Sequence, residues 1–168
     1  LLSLTASFSI AGMTGAPSGT TVDDSDIVRF TPTSLGASTA GVFTFWFDGS
    51  DVGLTTDNED IDSIAFTPSG NLVLSLVGGG AVNGLSGIQD EDLIEFTATE
   101  IGTATTTGTF GMYFDGSDVG LSTSANEDVD AAFIASDGSI HLSTLGSFSV
   151  TGASGGAADI MRFAPTTL

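Results

Sequence analysis

The acidic pair Asp48 and Asp51 lies in the octapeptide FDGSDVGL at positions 47–54, and Asp115 and Asp118 hold the same places where those letters return at 114–121. A second acidic group follows each copy: Asp57, Glu59, Asp60 and Asp62 after the first, Glu127, Asp128 and Asp130 after the second. Calcium takes six to eight oxygens from carboxylates, amides and backbone carbonyls in a flexible turn, and DGSD followed by NED can supply them. Asp48, Asp51, Asp60, Asp62, Asp115, Asp118, Asp128 and Asp130 are therefore the candidate calcium ligands, although no EF-hand spacing is present. The same letters have a plainer use, because Asp48 and Asp115 can close their own turns with Asx bonds and need no cation to do so.

Carboxylate pairs also act as acid and base on glycosidic bonds. Acids that recur once per repeat, in turns, argue instead for a structural duty. Other catalytic parts are missing: there is no cysteine, no lysine and no G-x-S-x-G elbow, and nucleophilic catalysis draws on such groups. His141, the single histidine, aligns with Val73 and Leu1 and so reads as a core or rim residue rather than a base. The expectation is a protein that is not an enzyme. Aromatic residues offer a different chemistry. Phe43, Phe45 and Phe47 alternate, as do Phe110, Met112 and Phe114, which predicts each trio on one strand face with Trp46 and Tyr113 opposite. Exposed rings at Trp46 and Tyr113 would stack on sugars, whereas burial between layers would make them ordinary packing.

An internal repeat positions these groups. NEDIDSIAFTPSGNLVLSL (Asn58–Leu76) faces NEDVDAAFIASDGSIHLST (Asn126–Thr144), and DIVRFTPTSLG (Asp26–Gly36) faces DLIEFTATEIG (Asp92–Gly102) and DIMRFAPTTL (Asp159–Leu168). GMTG, GLSG and GASG recur at 12–15, 84–87 and 152–155, and the unit is 66 to 72 residues long, with the octapeptides 67 apart. Alternating apolar residues and β-rich runs between Gly, Pro, Asp and Ser clusters predict four strands per unit. In the complete copy these are strand A (Ile61–Phe66), B (Asn71–Leu76), C (Asp92–Phe96) and D (Thr109–Asp115), with Gly70 and Gly138 supplying positive φ in the A–B hairpin turns. No 3.6-residue apolar stripe occurs, so helix is expected to be nearly absent. The order along the chain is B-C-D, A-B-C-D, A-B-C, which divides it into a partial repeat at 1–57, a complete one at 58–125 and a partial one at 126–168. A longer loop around Ala16–Val22 in the first copy is expected to decorate one face.

Four antiparallel strands per repeat, with an A–B hairpin reading IDSIAFTPSGNLVLS, resemble the blades of secreted or cell-surface β-propellers of the NHL type. The resemblance implies blade-like antiparallel sheets built for binding or scaffolding. Propellers need about four blades to close, so a β-sandwich or β-solenoid of the same units is the alternative. Edges left without a neighbour recruit further strands, and the expected function is an extracellular structural or adhesive repeat module that joins copies of itself into a filament or surface array. The alternative is a carbohydrate-binding propeller fragment with Trp46 and Tyr113 as stacking residues.

Charge narrows the partners. Twenty-one acids against Arg29 and Arg162 give −19 at pH 7, and such a surface repels phosphate backbones and anionic lipid. Nucleic acid is not expected as a partner, and no apolar run reaches the length of a membrane helix. The partners expected are further copies of the chain and, in the alternative, glycans; calcium is the one candidate cofactor. Mean hydropathy of +0.33 with 40% apolar residues suffices for a real core. The lysine-free, Ser/Thr/Gly-rich surface points to a secreted or cell-surface location.

Overall fold

The computed structural model describes residues 1–16, 21–102, 105–122 and 124–166; part of the expected decorating loop, 17–20, lies outside them. The fold is all-β with antiparallel sheets, and helix among the described residues is limited to 3₁₀ turns at Ser50–Val52, Asp57–Glu59 and Ser117–Val119. The strands are β1 (Phe8–Ser9), β2 (Thr21–Val22), β3 (Ile27–Ser34), β4 (Ala40–Phe47), β5 (Ile61–Phe66), β6 (Leu72–Leu76), β7 (Gly80–Val82) and β8 (Leu85–Ile88). They continue as β9 (Leu93–Ile101), β10 (Thr106–Phe114), β11 (Ala131–Ile134), β12 (Ile140–Ser143), β13 (Phe148–Val150), β14 (Ala153–Gly155) and β15 (Met161–Phe163).

Sequentially adjacent strands pair, as short turns dictate. The central sheet runs β10-β9-β6-β5, the meander expected from strands A to D, and β11-β12-β15 repeats its first part. β3 pairs β4, and Leu2 bridges Val28 beside them. One register recurs three times: Leu2 opposite Val28, Leu74 opposite Ile94 and Leu142 opposite Met161. Gly70 (φ 93°) and Gly138 (φ 79°) hold the positive φ expected of the A–B turns.

The sheets lie face to face with cores between them. Leu72, Leu74 and Leu76 point into one core with Ile27, Phe47 and Leu54 from the preceding unit. Val73 and Ala65 point into the other, with Leu142, Ile134 and Phe148 from the following unit. Both faces of β6 are thus covered, which is why its sequence LVLSL is apolar almost throughout instead of alternating. A third core, Met13, Val22, Val28 and Phe45, backs the first sheet. The described residues close neither a barrel nor a propeller ring, and the layered arrangement is sandwich-like.

Three features depart from the sequence expectation. Strand C extends to Ile101, because beyond Phe96 the pair β9–β10 continues as a two-stranded arm whose polar residues face solvent. GLSG and GASG form the turn and second strand of small hairpins, β7–β8 and β13–β14, too short to show periodicity, whereas GMTG lies between β1 and β2, where Thr14 bridges Thr44. The strand D trios do not share a face. Register shifts between Ile27 and Val28 and between Met112 and Phe114 leave Trp46 and Tyr113 as extra residues in β-bulges. Phe43 and Phe45 consequently face the preceding core while Phe47 faces the next, and Phe110 and Phe114 divide in the same way.

Candidate functional site

Each letter of the octapeptide has a task in the first copy. Phe47, Val52 and Leu54 are buried in the core between the first and central sheets. Asp48 Oδ1 accepts the Ser50 backbone N–H (3.1 Å) and the Ser50 hydroxyl (2.6 Å), the Asx turn expected for it. Gly49 sits against Ser25 with no room for a Cβ, and Gly53, at φ 94°, ends the 3₁₀ turn in the left-handed region. Asp51 reaches into the next unit, where its Oδ2 accepts the N–H of Thr106 (2.8 Å). Thr106 Oγ1 in turn accepts the N–H of Asp48 (2.9 Å), and Thr106 is fully buried. The octapeptide is thus a joint between consecutive units, held by charge-assisted and buried hydrogen bonds.

The second copy repeats the internal bonds. Asp115 Oδ1 accepts Ser117 N–H (3.1 Å) and Ser117 Oγ–H (2.6 Å), and Gly120 adopts φ 97°. Its outward letters differ in surroundings: Asp118 is exposed and borders a cleft of about 920 Å³ instead of meeting a threonine.

A second carboxylate, absent from the sequence-derived candidates, locks each joint to strand C. Asp26 Oδ2 accepts Asp23 N–H (2.7 Å) while its Oδ1 accepts Gly49 N–H (3.1 Å). Asp92 does the same with Gln89 (2.9 Å) and Gly116 (3.0 Å), and Asp159 holds the first of these bonds, to Gly156 (2.8 Å). Burial pushes Asp26 up to about 6 and raises Asp92. The signal was present in the sequence, since an aspartate opens strand C in all three copies.

The later acidic groups fall on the seams between units. Glu59 completes a capping box, accepting Thr55 and Thr56 N–H at 2.7 and 3.0 Å. Its counterpart Glu127 accepts Ser122 and Ser149 N–H, and the Ser122 hydroxyl leads the bonds that hold it below the usual carboxylate range. Asp60 is pushed up to about 6 by desolvation and by the charges of Asp24 and Asp57. Asp128 is only 5% exposed and its Oδ1 has no hydrogen-bond partner among the described residues. Desolvation, then the charges of Asp62, Asp90 and Asp130, push it up to about 7, and Asp62 is itself raised by desolvation and the charge of Asp130. Asp130 is engaged by the Ser143 hydroxyl (2.6 Å). Among the described residues no three His, Cys, Asp or Glu side chains converge as a metal-holding group.

The aromatic candidates are both half-buried bulge residues. Trp46 lies under the Arg29 guanidinium (5.4 Å to the ring centroid) and edge-on to Phe66 (6.2 Å). Tyr113 borders a separate cleft of about 580 Å³ with Glu95, Thr67, Ser69 and Pro165. His141 is half-buried on β12, its ring 5.8 Å from that of Phe133.

No protein family, no curated protein and no solved structure compared with this chain matches it.

Proposed function

We propose that this chain is an extracellular structural or adhesive repeat module that joins further copies of its unit through open sheet edges, forming a filament or surface array. The observation that carries this reading is the joint at Asp48–Asp51. Its outward bonds run from one unit to the next, through Thr106, so the letters that recur are letters that connect. Architectures of this kind depend on nearest-neighbour interfaces, and each added unit covers the face left by the one before. The lack of lysine supports assembly as well, because charged lysines are a common guard of sheet edges. Its polar, strongly acidic surface supports a location outside the cell. Negative-stain electron microscopy of the purified chain tests the reading: filaments or lattices are expected, and isolated small particles at all concentrations would overturn it.

A glycan-binding reading draws support from a different place. The Tyr113 cleft is lined by that residue, the Glu95 side chain and the hydroxyl-bearing Thr67 and Ser69, the mixture of aromatic and polar groups that sugars use. Retention on a glycan resin, lost in Tyr113→Ala, would favour it; passage through every resin would remove it.

A further inference from the structure

The aromatic residue that each bulge adds to strand D has a fixed companion on strand C. In the first sheet Arg29 pairs opposite Thr44, and Trp46 follows two residues on. In the central sheet Glu95 pairs opposite Gly111, and Tyr113 follows two residues on. Residues so placed are diagonal neighbours across a strand pair, within reach of one another when one is aromatic and the other long. The two companions carry opposite charge. Arg29 holds its guanidinium 5.4 Å from the centroid of the Trp46 ring, a cation–π pair closed within the chain. Glu95 offers Tyr113 no such cover, because a carboxylate is repelled by the negative face of a ring.

The place that a cation fills in the first unit is open in the second. Tyr113 and Glu95 line the cleft of about 580 Å³, together with Thr67 and Ser69 from the A–B turn of one unit and Ser136 from the A–B turn of the next. Opposite Glu95, a Cβ at Gly111 would meet nothing within 4 Å, so the neighbouring strand leaves room beside the carboxylate. That carboxylate is held in place and half free. Its Oε1 accepts Asn71 Nδ2–H (2.8 Å), while Oε2 receives no hydrogen bond from a described residue. The hydroxyls of Thr67 and Ser69 bond to each other (2.8 Å), and Thr67 Oγ1 accepts Asn71 N–H (3.0 Å), so both serve their own turn first. Glu95 is the only charged side chain among the described residues that line the cleft. Burial, then the Glu95 charge, raises the Tyr113 phenol above the usual tyrosine range, and the phenol keeps its proton. A neutral ring thus stands beside an unpaired negative charge.

We infer that the Tyr113–Glu95 cleft is a recognition site for an arginine side chain of a different polypeptide, its guanidinium stacked on the Tyr113 ring and donating to Glu95 Oε2. A guanidinium suits the pair better than an ammonium, being planar, weakly hydrated and able to stack and donate at once. The chain's own two arginines are already engaged, Arg29 on Trp46 and Arg162 with Asp137 (3.2 Å). A net charge of −19 draws a basic partner towards the cleft. This goes beyond the assembly reading, since it gives the module a partner other than itself, and it takes the cleft of the glycan reading for a different ligand.

An NMR titration of the isotope-labelled intact chain with the peptide GSGRGSG, at constant ionic strength, tests it. Saturable shifts are expected at Glu95, Tyr113 and Ser136, and none with the same peptide carrying neutral citrulline in place of arginine. Glu95→Gln keeps an acceptor for Asn71 and should weaken binding about tenfold. Tyr113→Ala should weaken it about threefold, while Tyr113→Phe, which keeps the ring, stays within about twofold of the parent. Asp118→Asn removes a charge at an exposed position outside the cleft and should leave the affinity unchanged. No shifts, equal binding of the citrulline peptide, or a loss in Asp118→Asn as large as in Glu95→Gln would overturn the site. Shifts at these residues with a glucosamine oligomer and none with the arginine peptide would overturn it in favour of the glycan reading. Sedimentation of the chain alone decides assembly separately, whichever way the titration falls.

Discussion

Phe163 lies 5.3 Å from Phe114, ring centroid to ring centroid, and repeats the contact that Phe96 makes with Phe47 at 5.4 Å. The two pairs sit at equivalent places in successive units, so the packing of one sheet on the next is a property of the repeat and not of one locality. Phe96 has a further ring, Phe110, on its other side, at 4.9 Å.

The shared joint predicts unequal effects for equal letters. Asp51→Ala removes a charge-assisted bond and leaves the buried N–H of Thr106 without its acceptor, a loss of about 1.5–3 kcal/mol. Asp118→Ala, at an exposed position, changes the stability of the isolated chain by less than about 0.5 kcal/mol. Urea denaturation of the two variants measures the difference.

Glycine is required at Gly116 for space and not for conformation. Its φ of −63° suits any residue, yet a Cβ there would run into the Glu91 backbone carbonyl and side chain. Gly116→Ala is expected to cost about 1–3 kcal/mol. Gly111→Ala, whose Cβ would meet nothing within 4 Å, is expected to fall within about 0.5 kcal/mol of the parent. Equal melting temperatures for both variants would contradict the close approach.

Stability should fall as pH rises through the range 4 to 8. Asp26 and Asp60 are raised to about 6, and Glu91 and Asp128 to about 7, so the folded chain binds more protons there than the unfolded one. The stabilisation from these groups is complete below the ordinary carboxylate range and is lost as pH passes their folded values. Asp23, Glu127 and Asp137 oppose this, being lowered chiefly by serine hydroxyl hydrogen bonds, but Asp24, Asp62 and Asp92 are raised together with the four above. A melting temperature higher at pH 5 than at pH 8 by roughly 5 °C or more is expected from the size of such shifts. Asp128→Asn should reduce the difference by raising the value at pH 8. A flat profile would contradict the burial of these acids at the seams.

Asp48→Asn and Asp115→Asn keep the Oδ1 acceptor that closes each turn. If the turns work through Asx bonds, the double variant melts within about 2 °C of the parent, and chelator leaves both curves unchanged. A chelator-induced drop in the parent that the double variant lacks would assign calcium to the octapeptides instead.

Much of this architecture was legible in the letters because a repeat presents the same evidence more than once. The A–B hairpin declared itself through Gly70 and Gly138, and the Asx turns through Asp48 and Asp115 with a serine two places on. The bulges did not, since Phe43, Phe45 and Phe47 alternate perfectly and nothing in that spacing marks the extra residue Trp46 that turns Phe47 to the other side. The hairpin β7–β8 was hidden for another reason. Strands of three and four residues are too short for period-2 alternation to stand out. Asp26 and Asp92 were visible as recurrent letters, but their bonds to glycines 23 and 24 residues away are tertiary and carry no local signature.

The joining of units is tested most directly by sedimentation velocity of the intact chain across micromolar concentrations. Species heavier than the 16.8 kDa monomer that grow with concentration are expected. A single stable 16.8 kDa species throughout the series would contradict it.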